Sequence, residues 1–199
     1  MRGTNIVVME LTAPDVAMTV LNYAPFDVNA LLRTVVVKNT SNTALTDVVL
    51  TATINRTTLK DGQLYNSFKG GTGGNAMGQT RQLFSAFLEP YEVAGADEKP
   101  GQGVLTLKIG AVPAGGEAVR TQYLVFSMVE VGDEAATLAR VKKEGVGLLK
   151  KTYDDWQTWL ASTTRLECPD QRLIDLLDDN KMLVKIQTAE PQYAAGPME

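Results

Sequence analysis

Histidine is absent from all 199 residues, and cysteine occurs once, as Cys168. Without an imidazole, the serine and cysteine hydrolases that depend on a histidine base are excluded, and so are most transition-metal sites. A single thiol excludes an internal disulfide and any cysteine-based zinc site. General acid–base chemistry is left to Asp, Glu, Lys, Tyr and Cys, and nothing in the pattern calls for a cofactor or a metal. Positive charge is also short: 19 Lys and Arg stand against 23 Asp and Glu, for a net charge of −4, and the cations are scattered. Phosphate backbones are bound by clustered cations, so nucleic acid is not an expected partner. No apolar run approaches the roughly 20 residues of a membrane-spanning helix. The opening Met-Arg-Gly-Thr-Asn-Ile-Val-Val-Met-Glu is too short an apolar run for a signal peptide and reads as a strand entered in mid-domain. Neither a membrane partner nor a compartment is therefore assigned. What is present is ordinary globular composition, 44% hydrophobic and 21% charged, enough for one domain or for a domain of about 130 residues with an appendage.

Residues 5–129 carry short runs rich in Val, Leu, Ile, Thr and Tyr, at 6–11, 17–23, 32–38, 47–54, 104–109 and 120–129, and these predict strands. In the fourth run, two-residue alternation turns Val48, Leu50, Ala52 and Ile54 inward and Thr51 and Thr53 outward. Asn39-Thr40-Ser41-Asn42-Thr43 is turn chemistry, and a hairpin of the strands on either side is the simplest expectation. The glycine-dense stretch at 68–75 and the charged, Gly- and Pro-containing stretch at 93–103 are expected to be surface loops at one end of a sandwich. Neither is a phosphate loop, because no Gly-Lys-Ser or Gly-Lys-Thr follows. Together these features predict a mainly β fold, an antiparallel β-sandwich followed by C-terminal helices.

At Gly132-Asp133 the period changes. Asp133 is placed to cap a helix carrying Ala135, Leu138, Ala139 and Val141, and Gly145 and Gly147 weaken its continuation. Trp156, Trp159 and Leu160 fall on one face of a short helix over 152–161. Residues 163–168 read as extended before Pro169. Asp170 then caps a long helix over 170–188 with Leu173, Leu176, Leu177, Leu183 and Val184 on one side, and Pro191 ends it.

Several residues invite functional readings. Trp156 and Trp159 could stack on sugar rings, but their helical spacing favours packing on the sandwich. Asp154 with Asp155, and Asp178 with Asp179, are adjacent on helices and point about 100° apart, which suits solvated faces better than a catalytic pair. Cys168 has only Arg165 near it in sequence and is expected to be inert. Asn39-Thr40-Ser41 and Asn55-Arg56-Thr57 fit the glycosylation sequon, a pattern too short to carry a compartment.

The phrase Tyr23-Ala24-Pro25-Phe26-Asp27-Val28-Asn29, followed by Arg33-Thr34-Val35-Val36-Val37-Lys38-Asn39-Thr40-Ser41, resembles the β-supersandwich of bacterial glucoamylase-like glycoside hydrolases. So does the order of what comes after: a strand at 123–129, Asp133-Glu134-Ala135, Trp156-Gln157-Thr158-Trp159-Leu160 and Pro169-Asp170. The resemblance implies a sandwich domain at 1–131, linker helices at 132–168, and the first helix and loop of a truncated (α/α)6 barrel at 169–199. It places the catalytic carboxylates on barrel loops outside these residues, so no catalytic residue is assigned here. Glu190 is acidic, but nothing sets a second carboxylate opposite it, as cleavage of a glycosidic bond requires. Gln192 and Tyr193, in the loop after the first barrel helix, are the implied substrate contacts, and carbohydrate is the implied partner through the missing barrel. With the barrel's neighbouring helices absent, the apolar side of helix 170–188 predicts self-association as a two-fold homodimer. The rival readings are a stand-alone carbohydrate-binding or adhesion module, which exposed aromatics on one sandwich face would favour, and a self-contained small enzyme.

Overall fold

The computed structural model describes residues 1, 3–69, 80–96, 99–128, 132–165 and 167–187. Nine strands come first: β1 Val7–Ala13, β2 Val16–Tyr23, β3 Ala30–Asn39, β4 Leu45–Lys60, β5 Gln63–Lys69, β6 Thr80–Phe87, β7 Glu92–Ala94, β8 Gly101–Val112 and β9 Glu117–Met128. Three helices follow, α1 Glu134–Glu144, α2 Gly147–Ser162 and α3 Gln171–Gln187. Mainly β architecture with C-terminal helices is what the composition and periodicity led us to expect.

The strands form one antiparallel sheet in the order β1-β2-β3-β9-β6-β5-β4-β8-β7. The link between β5 and β4 is narrow, running from Thr58↔Tyr65 to Lys60↔Gln63. There the sheet folds over, so that β4, β8 and β7 lie across the face of the six-strand portion. Asp61-Gly62 makes this corner as a two-residue hairpin with φ of 51° and 72°, the left-handed geometry that an Asp-Gly turn supplies.

Side-chain alternation divides the interior into two layers. Val20, Val35 and Val37 of β2 and β3 pack against Val48, Leu50 and Ile109 of β4 and β8. Leu64 and Phe87 of β5 and β6 meet Leu105 and Leu107 of β8 in the same inter-sheet layer. On the opposite face of the large sheet, Tyr23, Leu32, Phe84, Ala86, Tyr123 and Val125 are covered by Val141 of α1 and Leu148 of α2. The alternation expected over 48–54 holds, with Val48, Leu50, Ala52 and Ile54 half-buried and Thr51 and Thr53 exposed.

Three expectations need correction. β3 and β4 are not a hairpin: β3 pairs with β2 and β9, while β4 pairs with β5 and β8. The turn at 39–43 instead carries the chain from one sheet to the other, and the second such crossing, from β8 to β9, lies beside it. Fully buried Asn39 ties the two together, its Nδ2 donating to the carbonyls of Thr43 (2.7 Å), Val112 (3.0 Å) and Pro113 (3.1 Å). Its Oδ1 accepts from the amide and hydroxyl of Ser41, so this sequon asparagine is a buried structural residue. The stretch 93–103 is not wholly a loop, because Glu92–Ala94 pairs with β8, which itself starts at Gly101. Gly103 is needed there because a Cβ would sit 2.3 Å from Leu64 Cδ2 and 2.5 Å from Thr57 Oγ1. Finally, α2 begins at Gly147, well before 152, the break falling at Gly145 and Val146. Of the glycine-dense stretch, Phe68 and Lys69 complete β5, and 70–75 lie outside the described residues.

Candidate functional site

The loop after β2, residues 24–29, is the place where the sandwich meets its helices. Asp27 is gripped from two sides. Arg140 of α1 donates from Nη1 to the Asp27 carbonyl (2.9 Å) and from Nη2 to its Oδ2 (2.8 Å). Lys151 of α2 reaches both carboxylate oxygens at 3.3 Å. Each cation has a second acid one helical turn on: Arg140 Nε donates to Glu144 and Lys151 Nζ to Asp155, both at 2.6 Å. Such i,i+4 partners hold the long side chains extended toward the loop. Partial burial opposes ionisation of Asp27, but the hydrogen bonds and charges of Arg140 and Lys151 outweigh it and hold the carboxyl below its usual range. The amide of Asn29 donates to Asp133 Oδ2 (3.2 Å), so Asp133, whose side chain makes no capping bond to α1, faces the loop.

An aromatic stack backs this polar clamp. The Phe26 ring meets Trp156 edge-on at 4.6 Å, and Trp156 meets Trp159 edge-on at 5.5 Å. Trp156 is 1% exposed, and α2 is further fixed by Gln157 Nε2 donating to the Gly3 carbonyl (3.1 Å). The expectation that these tryptophans pack rather than present a sugar platform holds in full for Trp156. Trp159 is half-buried and, with Leu177, Asn180, Lys181, Val184 and Lys185, lines a shallow groove of about 420 Å³ between α2 and α3.

α3 starts as expected, with Asp170 Oδ1 accepting the Arg172 amide at 3.0 Å. It touches the junction through Lys181, which donates to the Thr164 carbonyl, and through the Lys185 ammonium, 5.6 Å from the Phe26 ring centre. Met182 is its buried apolar side chain, while Leu173, Leu176, Leu183, Val184 and Ile186 are each more than half exposed.

Among the described residues, the helix acids Asp154, Asp155 and Asp178 are held by lysines rather than set opposite one another. Asp154 is paired with Lys150, Asp155 with Lys151 and Asp178 with Lys181. Asp175, Asp178 and Asp179 line a second hollow of about 270 Å³ with Gly3, Gln157 and Leu160, but among the described residues no group of acids is arranged to hold a metal ion. Among those residues no helix is long and apolar enough to cross a membrane. Cys168 is half-buried and its thiol lies 3.2 Å from the Asp170 carbonyl. Glu190, Gln192 and Tyr193 lie outside the described residues. The clamp itself was not assigned from sequence, although the Lys150/Asp154 and Lys151/Asp155 spacings are visible there and mark a charged face of α2.

No family model matches the sequence, and no curated protein matches it. Among solved structures the chain is similar to a putative kojibiose phosphorylase from the human microbiome, with a TM-score of 0.56 and 12% identity. The match covers 75% of this chain and 22% of that one. At such identity the likeness is one of fold. Fold and junction thus define a class: an antiparallel β-sandwich bearing helices on one face, similar to part of a considerably longer protein.

Proposed function

We propose that this chain is the non-catalytic sandwich and linker portion of a carbohydrate-active enzyme, one that breaks glycosidic bonds in a helical barrel built by other residues. Its work is to present the linker helices, and α3 as the first barrel helix, in a fixed orientation. The observation that carries the reading is the Asp27 clamp. It joins the Tyr23-to-Asn29 phrase to α1 and α2, segments more than 110 positions apart in sequence, which are the two parts that resemble glucoamylase-like hydrolases. The fold likeness to a putative kojibiose phosphorylase supports the carbohydrate-active class and leaves the choice between water and phosphate as acceptor to experiment. The helix carboxylates Asp154, Asp155 and Asp178 support a non-catalytic role, since each is engaged in an ion pair with a lysine of its own helix rather than set across a cleft from a second acid.

Exposed aromatic rings among the described residues are Phe26 in the loop, Phe126 on β9 and Tyr153 on α2. Of these three only Phe126 lies on a strand of the sandwich, so they do not form the row of aromatics on one sandwich face that would favour a stand-alone sugar-binding module. The test is an assay of the purified chain on α- and β-linked disaccharides, with and without inorganic phosphate, alongside calorimetric titration with the same sugars. No turnover and no binding heat are expected. Turnover that is abolished by replacing one carboxylate of this chain would overturn the proposal, and phosphate dependence would assign the reaction.

A further inference from the structure

Among the described residues six buried side-chain oxygen or nitrogen atoms have no hydrogen-bond partner, and four of them, all oxygens, lie where α1 begins over the large sheet: Gln82 Oε1, Ser127 Oγ, Asp133 Oδ1 and Glu134 Oε2. Register brings the first two together. Gln82 of β6 is the cross-strand partner of Ser127 of β9, in the file that runs on from Ala86↔Tyr123 and Phe84↔Val125. Those four residues belong to the core face covered by α1 and α2, so two-residue alternation turns Gln82 and Ser127 to the same side. Ser127 is 6% exposed there, while Phe126, on the other side of the sheet, is open to solvent. Helical phase adds the third. Glu134 precedes Leu138 and Val141 by four and seven positions, and both of those pack on the same core, so the Glu134 side chain leaves the first turn of α1 on its sheet-facing side. Asp133 is held beside β9 by Asn29, which donates its side-chain amide to Asp133 Oδ2 and accepts the Phe126 amide on its carbonyl at 2.9 Å.

Buried polar atoms are nearly always paired, because an unmet one is unfavourable. Three of these four oxygens can only accept, and the fourth, the Ser127 hydroxyl, could donate to any of them yet bonds to none. Oxygens gathered at one corner without bonding one another are placed as the ligands of a cation are. The local charge agrees. Asp133 and Glu134 bring two carboxylates, the Asp133 side chain is not used to cap α1, and Arg140, the first cation of that helix, is engaged by Asp27 and Glu144. We infer that Gln82, Ser127, Asp133 and Glu134 form a calcium site that fastens the start of α1 to β6 and β9. The donors are all hard oxygens, which select against zinc and copper, and two carboxylates suit a divalent ion. Ligands drawn from three separate segments, and mixing carboxylate, amide and hydroxyl, fit the larger and less regular shell of calcium better than the strict octahedron of magnesium. With two acids in the set, the site is not a cluster of three or more acids and is not found as one. None of this depends on the enzyme class proposed above.

Calcium chloride added to the chelator-treated chain, followed by calorimetry and by thermal melts, tests the site. Calcium is expected to raise the unfolding midpoint and to bind with a dissociation constant of about 10⁻⁴–10⁻³ M, the range of sites with few charged ligands. Magnesium chloride at the same concentrations should raise the midpoint less. Glu134→Gln keeps the shape of the side chain and removes its charge, and Ser127→Ala removes one oxygen. Each should weaken calcium binding about tenfold or more with an unchanged circular dichroism spectrum, and if one of them fails to fold the other decides. Asp178→Asn, in the separate hollow beside Gly3, should bind calcium as the wild type does. No calcium-dependent heat or midpoint shift in the wild type, a magnesium shift as large as that of calcium, or undiminished binding in a folded Glu134→Gln or Ser127→Ala chain would overturn the inference. None of these results bears on whether the chain turns over sugars, so the two proposals fail separately.

Discussion

Arg140 meets Asp27 twice, through the backbone carbonyl at 2.9 Å and through the carboxylate at 2.8 Å, across 113 positions of sequence. A two-point contact of this kind fixes the direction of the guanidinium as well as its position. It sets where α1 stands on the sandwich, and Lys151 does the same for α2.

Asp27→Ala should therefore loosen both helices at once. Because the Asp27 and Arg140 side chains are about half and one third exposed, the loss of stability is expected to be about 1 kcal/mol and to shrink in high salt. Chemical denaturation at two ionic strengths measures it. The pH dependence follows from the sign of the shift. The Asp27 carboxyl is held below its ordinary value of 3.8, so its contribution is fully present above that pH and is lost as pH falls through the lower folded value. Wild-type and Asp27→Ala stabilities should converge as pH falls below that lower folded value; a difference that persists in acid would mean packing, not charge, is what the substitution removes.

Trp156→Ala removes a ring that is 1% exposed and wedged between Phe26 and Trp159. A loss of about 3–5 kcal/mol is expected. Trp159→Ala, at a half-buried position on the groove, should cost about half as much or less. Equal unfolding midpoints for the two variants would contradict the packing described.

How much of this was legible in the sequence varies by element for physical reasons. The sandwich class followed from the alternation at 48–54, because one buried face imposes a period of two. The later part of α2 followed from Trp156, Trp159 and Leu160 for the same reason at helical period. β5 and β6 were missed, although Asp61-Gly62 is a strong hairpin signal that would have placed β5 directly after β4. The pairing of β3 could not be read locally at all: Asn39 chooses the carbonyls of Val112 and Pro113, more than 70 positions away. The Asp27 clamp was hidden similarly, since an aspartate in a loop is ordinary turn chemistry until its cationic partners arrive from elsewhere in the fold. Gln192 and Tyr193 stay proposals, resting on the family resemblance.

Asn39→Ala should strand three carbonyls at the two sheet crossings, two of them next to each other at 112 and 113. Removing partners from buried polar groups is expected to cost roughly 1–3 kcal/mol. Asn39→Asp keeps the acceptor for Ser41 but replaces the donor, and should be at least as damaging. A thermal melt that leaves either variant at the wild-type midpoint would contradict the role given to Asn39.

Gly103→Ala tests the close approach of the two sheets. The added methyl would overlap Leu64 Cδ2 and Thr57 Oγ1, and forcing the sheets apart should cost about 1–3 kcal/mol. Gly115→Ala is not an equivalent control, since Gly115 has a φ of 67° and is strained by any side chain. Val49→Ala on exposed β4 surface is the better one, expected to lie within about 0.5 kcal/mol of wild type.

The sandwich and helices α1 and α2, joined at Asp27, are expected to unfold as one mechanical unit, and two optical probes separate its parts. Both tryptophans lie in α2, so their fluorescence reports the junction, while circular dichroism in the β region reports the sheet. One denaturant transition with the same midpoint by both probes is expected in the wild type, and separate midpoints, fluorescence first, once Asp27 and Trp156 are both replaced by alanine and Trp159 alone reports. Separate transitions in the wild-type chain would contradict it, because the helices would then be attached to the sandwich without being held by it.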